Sequence, residues 1–241
     1  MIMNEPESTF TLPSLSPWHK SNYLRYAEQV LTTQQSMQTP AGKNIIHYTL
    51  GEEPQHVQMK HYPKGDRIDN NTGSQYFYHC HRENKESLEH GHFHCFLRQT
   101  HIPKRIKPAV LADSKKNRDN PFTHLIAISM NCYGQPIRLF TVNRWVTGEI
   151  WYDAHHTRTF AKRFKMTANQ DSHWKALDQW IEGIIFLFSP QIMWLQQQRD
   201  NMVLAHHQQN PSVNFFENKD QEELSSLAIN LNDQIQWILA Q

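Results

Sequence analysis

The chain has 241 residues, and its 24 lysines and arginines against 23 aspartates and glutamates give a formal net charge of +1. A charge this close to zero argues against a nucleic acid or a membrane surface as a partner recognised by the whole chain. The 38% share of hydrophobic residues is enough for a folded core, and the 16 histidines exceed ordinary usage. Histidine is therefore the residue type that tells most about function.

The cysteines and the N-terminus bear on the compartment. Cys80, Cys95 and Cys132 form no CxxC pair and leave an odd number, which disfavours a disulfide scaffold. The first 14 residues lack the basic and apolar regions of a signal peptide, and the most apolar later stretch is interrupted by Glu182 and Pro190. These features predict a cytoplasmic protein without a membrane segment.

The first 150 residues change from a helical to an alternating pattern. Ser16-Pro17 is a typical helix start, and apolar residues at helical spacing follow, which predicts an N-terminal helix within residues 1–40. Residues 45–150 alternate with a period of two between turn signals, which predicts a largely antiparallel sheet. The clearest predicted strands are 57–62, 75–82, 92–98, 123–130 and 137–143, the last two joined as a hairpin.

Helical periodicity returns over residues 155–241. One helix is predicted to end at Ser189-Pro190, where the next one begins. Asp220 and Glu223 have the spacing of a capping box, and the apolar stripe that follows predicts a final amphipathic helix. The whole chain, 1–241, is thus predicted to be one α+β domain with an N-terminal helix, about five strands and a C-terminal helical layer.

Two pairs of histidines dominate the predicted sheet. Alternate residues of a strand share a face, so His79 and His81 point the same way, as do His92 and His94. The other face of these strands carries an apolar set suited to one core, namely Tyr76, Tyr78, Cys80, Phe93, Cys95 and Leu97. Burying that set places all four histidines together on the opposite face, which we expect to be exposed.

Four imidazoles on neighbouring strands favour a metal site. Cross-strand neighbours lie about 4.5–5.5 Å apart at Cβ, close enough for their rings to share an ion. The predicted ligands are His79, His81, His92 and His94. The predicted cofactor is a divalent transition metal, Zn, Fe(II), Mn or Ni. A carboxylate could complete the site from Asp66, Asp69, Glu86 or Glu89, and Glu89 is also a candidate general base. The alternative is a solvated face with incidental histidines.

Two arginines are candidates for holding a small anionic substrate. Arg82 follows the first histidine pair, and Arg144 lies in the stretch 143–149 with an amide and a carboxylate close by. In the structural alternative, Trp145 belongs to the core and Arg144 forms an ordinary ion pair with Glu149.

The first histidine pair resembles a cupin motif. Gly73, His79, His81 and Glu86 are similar to the first motif of that family, in which an HxH pair and a glutamate bind a metal inside a β-barrel. The closing glycine falls early, at Gly91, and a cupin would need further strands where the last third of this chain is helical in pattern.

The second block resembles the histidine-triad motif of nucleotide hydrolases and transferases. His90, His92 and His94 have the H-x-H-x-H spacing, and the resemblance implies that His92 attacks phosphorus to form a nucleotidyl intermediate. Gly91 departs from the apolar spacer of that motif, and His79 and His81 would have no role.

A longer resemblance extends from about His61 onward. It is carried by His79-x-His81-Arg82, by Glu89-His90-Gly91-His92-Phe93-His94 and by Asn143-Arg144-Trp145-Val146-Thr147-Gly148-Glu149. This pattern is similar to an uncharacterised family of bacterial hypothetical proteins, which implies a bacterial source but no activity.

Three functions therefore stay open. The leading one is a metal-dependent enzyme or metal-binding protein, the second a histidine-triad-like nucleotide enzyme with His92 as nucleophile. The third is a non-enzymatic interaction protein, and the oligomeric state is open in each case.

Overall fold

The computed structural model describes residues 9–51, 57, 60–80, 88–109, 121–167 and 173–241. Within these ranges the strands are β1 (Tyr62–Ile68), β2 (Ser74–Cys80), β3 (Gly91–Arg98), β4 (Phe122–Met130), β5 (Pro136–Val142) and β6 (Glu223–Ala228). The helices are α1 (Pro17–Ser36), α2 (Ile45–Leu50), α3 (Arg144–Thr147), α4 (Ala154–Ala161), α5 (Lys175–Leu187), α6 (Ser189–Gln209) and α7 (Leu231–Leu239). The α+β class, the N-terminal helix and the C-terminal helices are confirmed.

The six strands form one antiparallel sheet whose spatial order follows the chain, from β1 to β6. The predicted hairpin joins β4 to β5, and Asn131 N–H donates to the Gln135 carbonyl at 3.0 Å across its turn. Gly134 has a φ of +76° in this turn, a conformation that favours glycine. After four helices the chain returns to add β6 beside β5, with Leu227 opposite Leu139.

One face of the sheet packs against the helices and forms the main core. The six residues predicted to share this face are buried in one cluster, which confirms the prediction for Tyr76, Tyr78, Cys80, Phe93, Cys95 and Leu97. Asp178 of α5 ties the helical layer to the sheet, because its carboxylate accepts hydrogen bonds from Tyr76 Oη at 2.8 Å and Arg67 Nη2 at 2.6 Å. The opposite face is left for the histidines.

The C-terminal prediction was partly wrong. The helix predicted to start near Asp220 and Glu223 is interrupted by β6, and α7 begins only at Leu231, capped by the Asn230 side chain on the Asn232 and Asp233 N–H groups. The cause is tertiary, because the edge of β5 offers backbone hydrogen-bond partners that a local pattern does not reveal.

The first strand is also displaced from its prediction. The structure begins β1 at Tyr62, where the predicted strand 57–62 ends; residues 58 and 59 of that prediction lie outside the described residues. β1 then runs through Pro63–Asp66, a stretch of residue types that the sequence alone would assign to a turn. The pairing of β1 with β2 is irregular between Tyr62 and Arg67, and Gly65 and Asp66 have positive φ values of 83° and 61°. The turn residues thus form a bulge inside a strand.

Candidate metal centre

Three histidines converge on the sheet face that lies opposite the main core. His79 of β2 is the direct cross-strand partner of His92 on β3, and His94 follows two residues later on the same face. Their Nε2 atoms meet, at 2.7 Å between His79 and His92 and 3.0 Å between His92 and His94. All three nitrogens lie within 4.8 Å of one another, so that one ion could contact all of them.

This face is buried, contrary to the expectation of an exposed one. His79, His92 and His94 are only 6%, 5% and 2% exposed. The segment that follows β5, residues 143–148, is called the roof segment below; its Val146 packs on Ala127, Phe140 and Val142 of the histidine face. The prediction was wrong because this cover comes from a part of the chain distant from the histidines in sequence.

Glu89 fixes the orientation of His92. Its Oε1 lies 2.8 Å from His92 Nδ1, and its Oε2 accepts hydrogen bonds from Ser129 Oγ and, at 3.2 Å, from Arg138 Nη2. Burial alone would raise the pKa of Glu89, but the hydrogen bond and charge of His92, with Ser129 and Arg138, lower it to about 2. A carboxylate only accepts, so His92 Nδ1 donates, and in the neutral ring the lone pair is then at Nε2, the atom that faces the other histidines.

His94 is also in contact with a neighbouring histidine that is not one of the three. Its Nδ1 lies 3.1 Å from Nε2 of His124 on β4, and a hydrogen bond joins the His124 ring to the Ile126 backbone. Burial, followed by the charges of His92 and His124, lowers the pKa of His94 well below its ordinary value. Burial and the charge of Arg199 lower the pKa of His124 to about 3. Both shifts favour the neutral ring, which is the form that coordinates a metal.

A pocket of about 430 Å³ lies against these histidines, on the side that the roof segment covers. Its lining includes the three rings and a group of aromatic residues, Phe77, Phe96, Phe122, Phe140 and Trp145. Asn143 Nδ2 donates to the Phe215 and Gln221 carbonyls, and Trp145 Nε1 donates to Gln221. These bonds fix the roof segment above the sheet.

Two further histidines near the centre were not singled out by the sequence. His61 lines the pocket, stacks on Phe77 with ring centroids 3.6 Å apart, and has Nδ1 2.8 Å from Asp66 Oδ1. Asp66 is itself held by Gln75 Nε2 at 2.7 Å. The bulge in β1 brings His61 and Asp66 here, and no periodic pattern signals it. His124 lay in a predicted strand, but only its pairing with β3 shows that it reaches His94.

The remaining predicted residues are distributed as follows. His81, Arg82 and Glu86 lie outside the described residues. Asp69 accepts hydrogen bonds from Asn71 N and Thr167 Oγ1 and so supports a turn.

Arg144 is not in the lining of the histidine pocket. Its guanidinium forms an ion pair with Glu217 and lines a separate pocket beside Trp145, Gly148 and Lys219. Glu149 accepts hydrogen bonds from His124 N at 2.7 Å and Thr123 Oγ1 at 3.1 Å. Burial raises its pKa to about 7, against the lowering effect of Arg199, these hydrogen bonds and Arg144.

His90 does not join the row formed by His92 and His94. Its Nδ1 lies 2.8 Å from Tyr78 Oη, and Tyr78 belongs to the core face. The three histidines of the H-x-H-x-H spacing are therefore not one catalytic row, and the row that does form takes its third member, His79, from the neighbouring strand.

The chain belongs to an uncharacterised family, which the comparison with family models identifies as Domain of unknown function (DUF6969). The match covers residues 24–229. No curated protein and no solved structure matches the chain. The cupin and histidine-triad resemblances receive no support from these comparisons. In the described part of the chain, every helix is too short or too polar to cross a bilayer.

Proposed function

We propose that this protein is a metal-dependent enzyme whose centre is formed by His79, His92 and His94. The observation that carries the proposal is the convergence of three buried Nε2 atoms, at 2.7 and 3.0 Å along the row. Nδ1 of His92 donates a hydrogen bond to the Glu89 carboxylate, so the neutral His92 ring offers its lone pair at Nε2. Each of these contacts can be a hydrogen bond with one ring as donor, and a metal ion that displaces the shared protons would bind the same nitrogens.

The ligand chemistry fits a divalent transition metal. Neutral imidazole nitrogens bind Zn, Fe(II), Mn and Ni, and nitrogens bound at about 2.1 Å stand about 3.0–3.4 Å apart in octahedral or tetrahedral geometry. Small rotations of the three rings would give that spacing. Three protein ligands leave at least one coordination position open, as in catalytic rather than structural sites. The pocket beside the histidines would give a substrate access to it.

The surrounding groups have the roles that such a centre requires. Glu89 holds His92 in its coordinating tautomer, and His124 does the same for His94. His61, paired with Asp66 at the pocket, is placed to exchange a proton with a bound molecule. The roles of Glu89 as ligand or base, and of Arg82 and Arg144 as anion partners, stay predictions.

We also propose a reducing, cytoplasmic location. The support is that Cys80, Cys95 and Cys132 are all free thiols, two of them buried.

Cobalt(II) substitution tests the proposed centre. Co(II) bound by three imidazoles gives visible d–d bands that depend on coordination number, so titration of the metal-free protein should show one equivalent bound. Azide should then shift the bands, because a coordination position is open. His92→Ala should abolish the bands, whereas His207→Ala, which removes a histidine at the end of α6, should retain them. Equal bands in both variants, or none in the wild type, would contradict the proposal.

A further inference from the structure

The pocket walls indicate which molecules the proposed metal centre would accept. The volume of about 430 Å³ is within the range of small-molecule sites. Five of its lining residues are aromatic without a titrating group, and two more are valines. Such walls favour the burial of apolar surface, and they leave the metal and a few polar atoms to fix orientation.

The aromatic rings form flat surfaces rather than a random apolar wall. His61 lies parallel to Phe77, with 7° between the ring planes, and Phe77 stacks against Phe96 at 26°. Phe140 meets the ring of His92 edge to face, with centroids 4.9 Å apart. Another planar ring can stack with an offset on such a surface or meet it edge to face, and both are preferred geometries of aromatic pairs.

The charges of the lining disfavour an anionic substrate. Among the described residues, the lining contains the acidic Asp66 and Glu222 and neither lysine nor arginine. Glu222 is exposed at the pocket, and Arg144 is directed to Glu217 instead. An anionic group away from the metal would thus meet carboxylates without a compensating cation.

We infer that the substrate is a small, uncharged aromatic molecule that carries an oxygen or nitrogen donor for the metal; this inference rests on the proposed metal function. The donor atom binds the open coordination position. The ring lies between the stacked rings of His61, Phe77 and Phe96 and the roof segment, where Trp145 and Val146 line the pocket. His61 and Thr147 are uncharged polar residues of the lining that a substituent of the ring would meet.

A ligand series on the Co(II)-loaded protein tests the inference with probes that share one metal-binding group. Imidazole, 4-phenylimidazole and 4-(imidazol-4-yl)benzoate are titrated, and their dissociation constants are read from the d–d bands. 4-Phenylimidazole should bind about tenfold more tightly than imidazole because its phenyl ring is buried. The benzoate should bind about threefold more weakly than 4-phenylimidazole because of the acidic lining.

Two valine variants test whether the phenyl ring of 4-phenylimidazole occupies this pocket. Val146→Phe fills the pocket from the roof segment and should remove most of the advantage of the phenyl ring while Co(II) binding persists. Val213→Phe, at an exposed valine in the loop after α6, should change neither. If Val146→Phe does not fold, the ligand series on the wild-type protein still tests the inference.

The failures of the two proposals differ. If no Co(II) band forms, the metal function is refuted, and the substrate class falls with it. If imidazole shifts the band but 4-phenylimidazole binds no more tightly, or the benzoate binds most tightly, only the substrate class is refuted. A Co(II) band that no ligand perturbs also refutes it, because the metal then does not face the pocket.

Discussion

Glu89→Gln is the substitution that separates the orienting carboxylate from the metal ligands. The glutamine keeps the length of the side chain and an oxygen that can accept from His92 Nδ1, but it removes the charge. A hydrogen bond to a charged group contributes about 1.5–3 kcal/mol and a neutral one about 0.5–1.5 kcal/mol. The loss of about 1–1.5 kcal/mol corresponds to roughly tenfold weaker metal binding. Glu89→Ala should weaken metal binding by up to about a hundredfold.

Competition between the protein and a chromophoric chelator for Zn²⁺ measures this difference. The matched control is Glu223→Gln, because Glu223 is the other carboxylate partner of Arg138 and lies on β6, whereas the three ligands lie on β2 and β3. The control should bind Zn²⁺ like the wild type. If Glu89→Gln retains wild-type affinity, or if Glu223→Gln weakens binding equally, Glu89 does not act by orienting His92.

Three further substitutions test the fold around the centre. Gly91→Ala should lower the free energy of unfolding by about 1–3 kcal/mol and weaken metal binding, because a Cβ there would overlap the His79 carbonyl oxygen. Asp178→Ala should lower the free energy of unfolding by about 3–5 kcal/mol, because the largely buried guanidinium of Arg67 loses its ion pair with this carboxylate. Glu149→Gln should remove a pH dependence: with a folded pKa of about 7 against 4.5, the wild type loses stability as pH rises between these values, by about 3 kcal/mol in total.

Urea unfolding measures all three, and each has an outcome that refutes it. Gly91→Ala with an unchanged midpoint and Zn²⁺ affinity would show that the β2–β3 contact tolerates a side chain. The exposed Asp220 and Glu222 serve as controls, and Asp220→Ala and Glu222→Gln should change stability by less than about 0.5 kcal/mol. If Glu149→Gln has the same pH profile as the wild type from pH 4.5 to 8, the buried carboxyl does not titrate as described.

The strand faces at the centre of the sheet could be predicted because alternation is a local property. Tyr76, Tyr78 and Phe93 share a core face, and that alone places His79 with His92 and His94 on the other. The short antiparallel pairing of β2 and β3 then makes His79 and His92 direct neighbours. The three predicted ligand positions of this row therefore needed only alternation and the pairing of two neighbouring strands.

The rest of the site depends on contacts between distant parts of the chain. The burial of the histidines comes from the roof segment, about fifty residues further along the sequence than His94. His61 reaches the pocket through a bulge in β1, and His124 reaches His94 through the pairing of β3 with β4. The sequence predicts a helix at β6 because Leu224 and Leu227 fit a helical spacing, whereas hydrogen bonding to the edge of β5 makes this segment a strand. None of these partners is encoded in a local pattern.

Metal content of the protein purified without a histidine tag tests the central claim most directly. Elemental analysis should find close to one transition metal per chain, because three convergent imidazoles bind first-row divalent ions strongly. The double variant His92→Ala/His94→Ala should lose this metal, and His206→Ala/His207→Ala, two histidines in the last turn of α6, should keep it. A wild type that stays free of metal after reconstitution, or a His92→Ala/His94→Ala variant that retains one equivalent, would contradict the account.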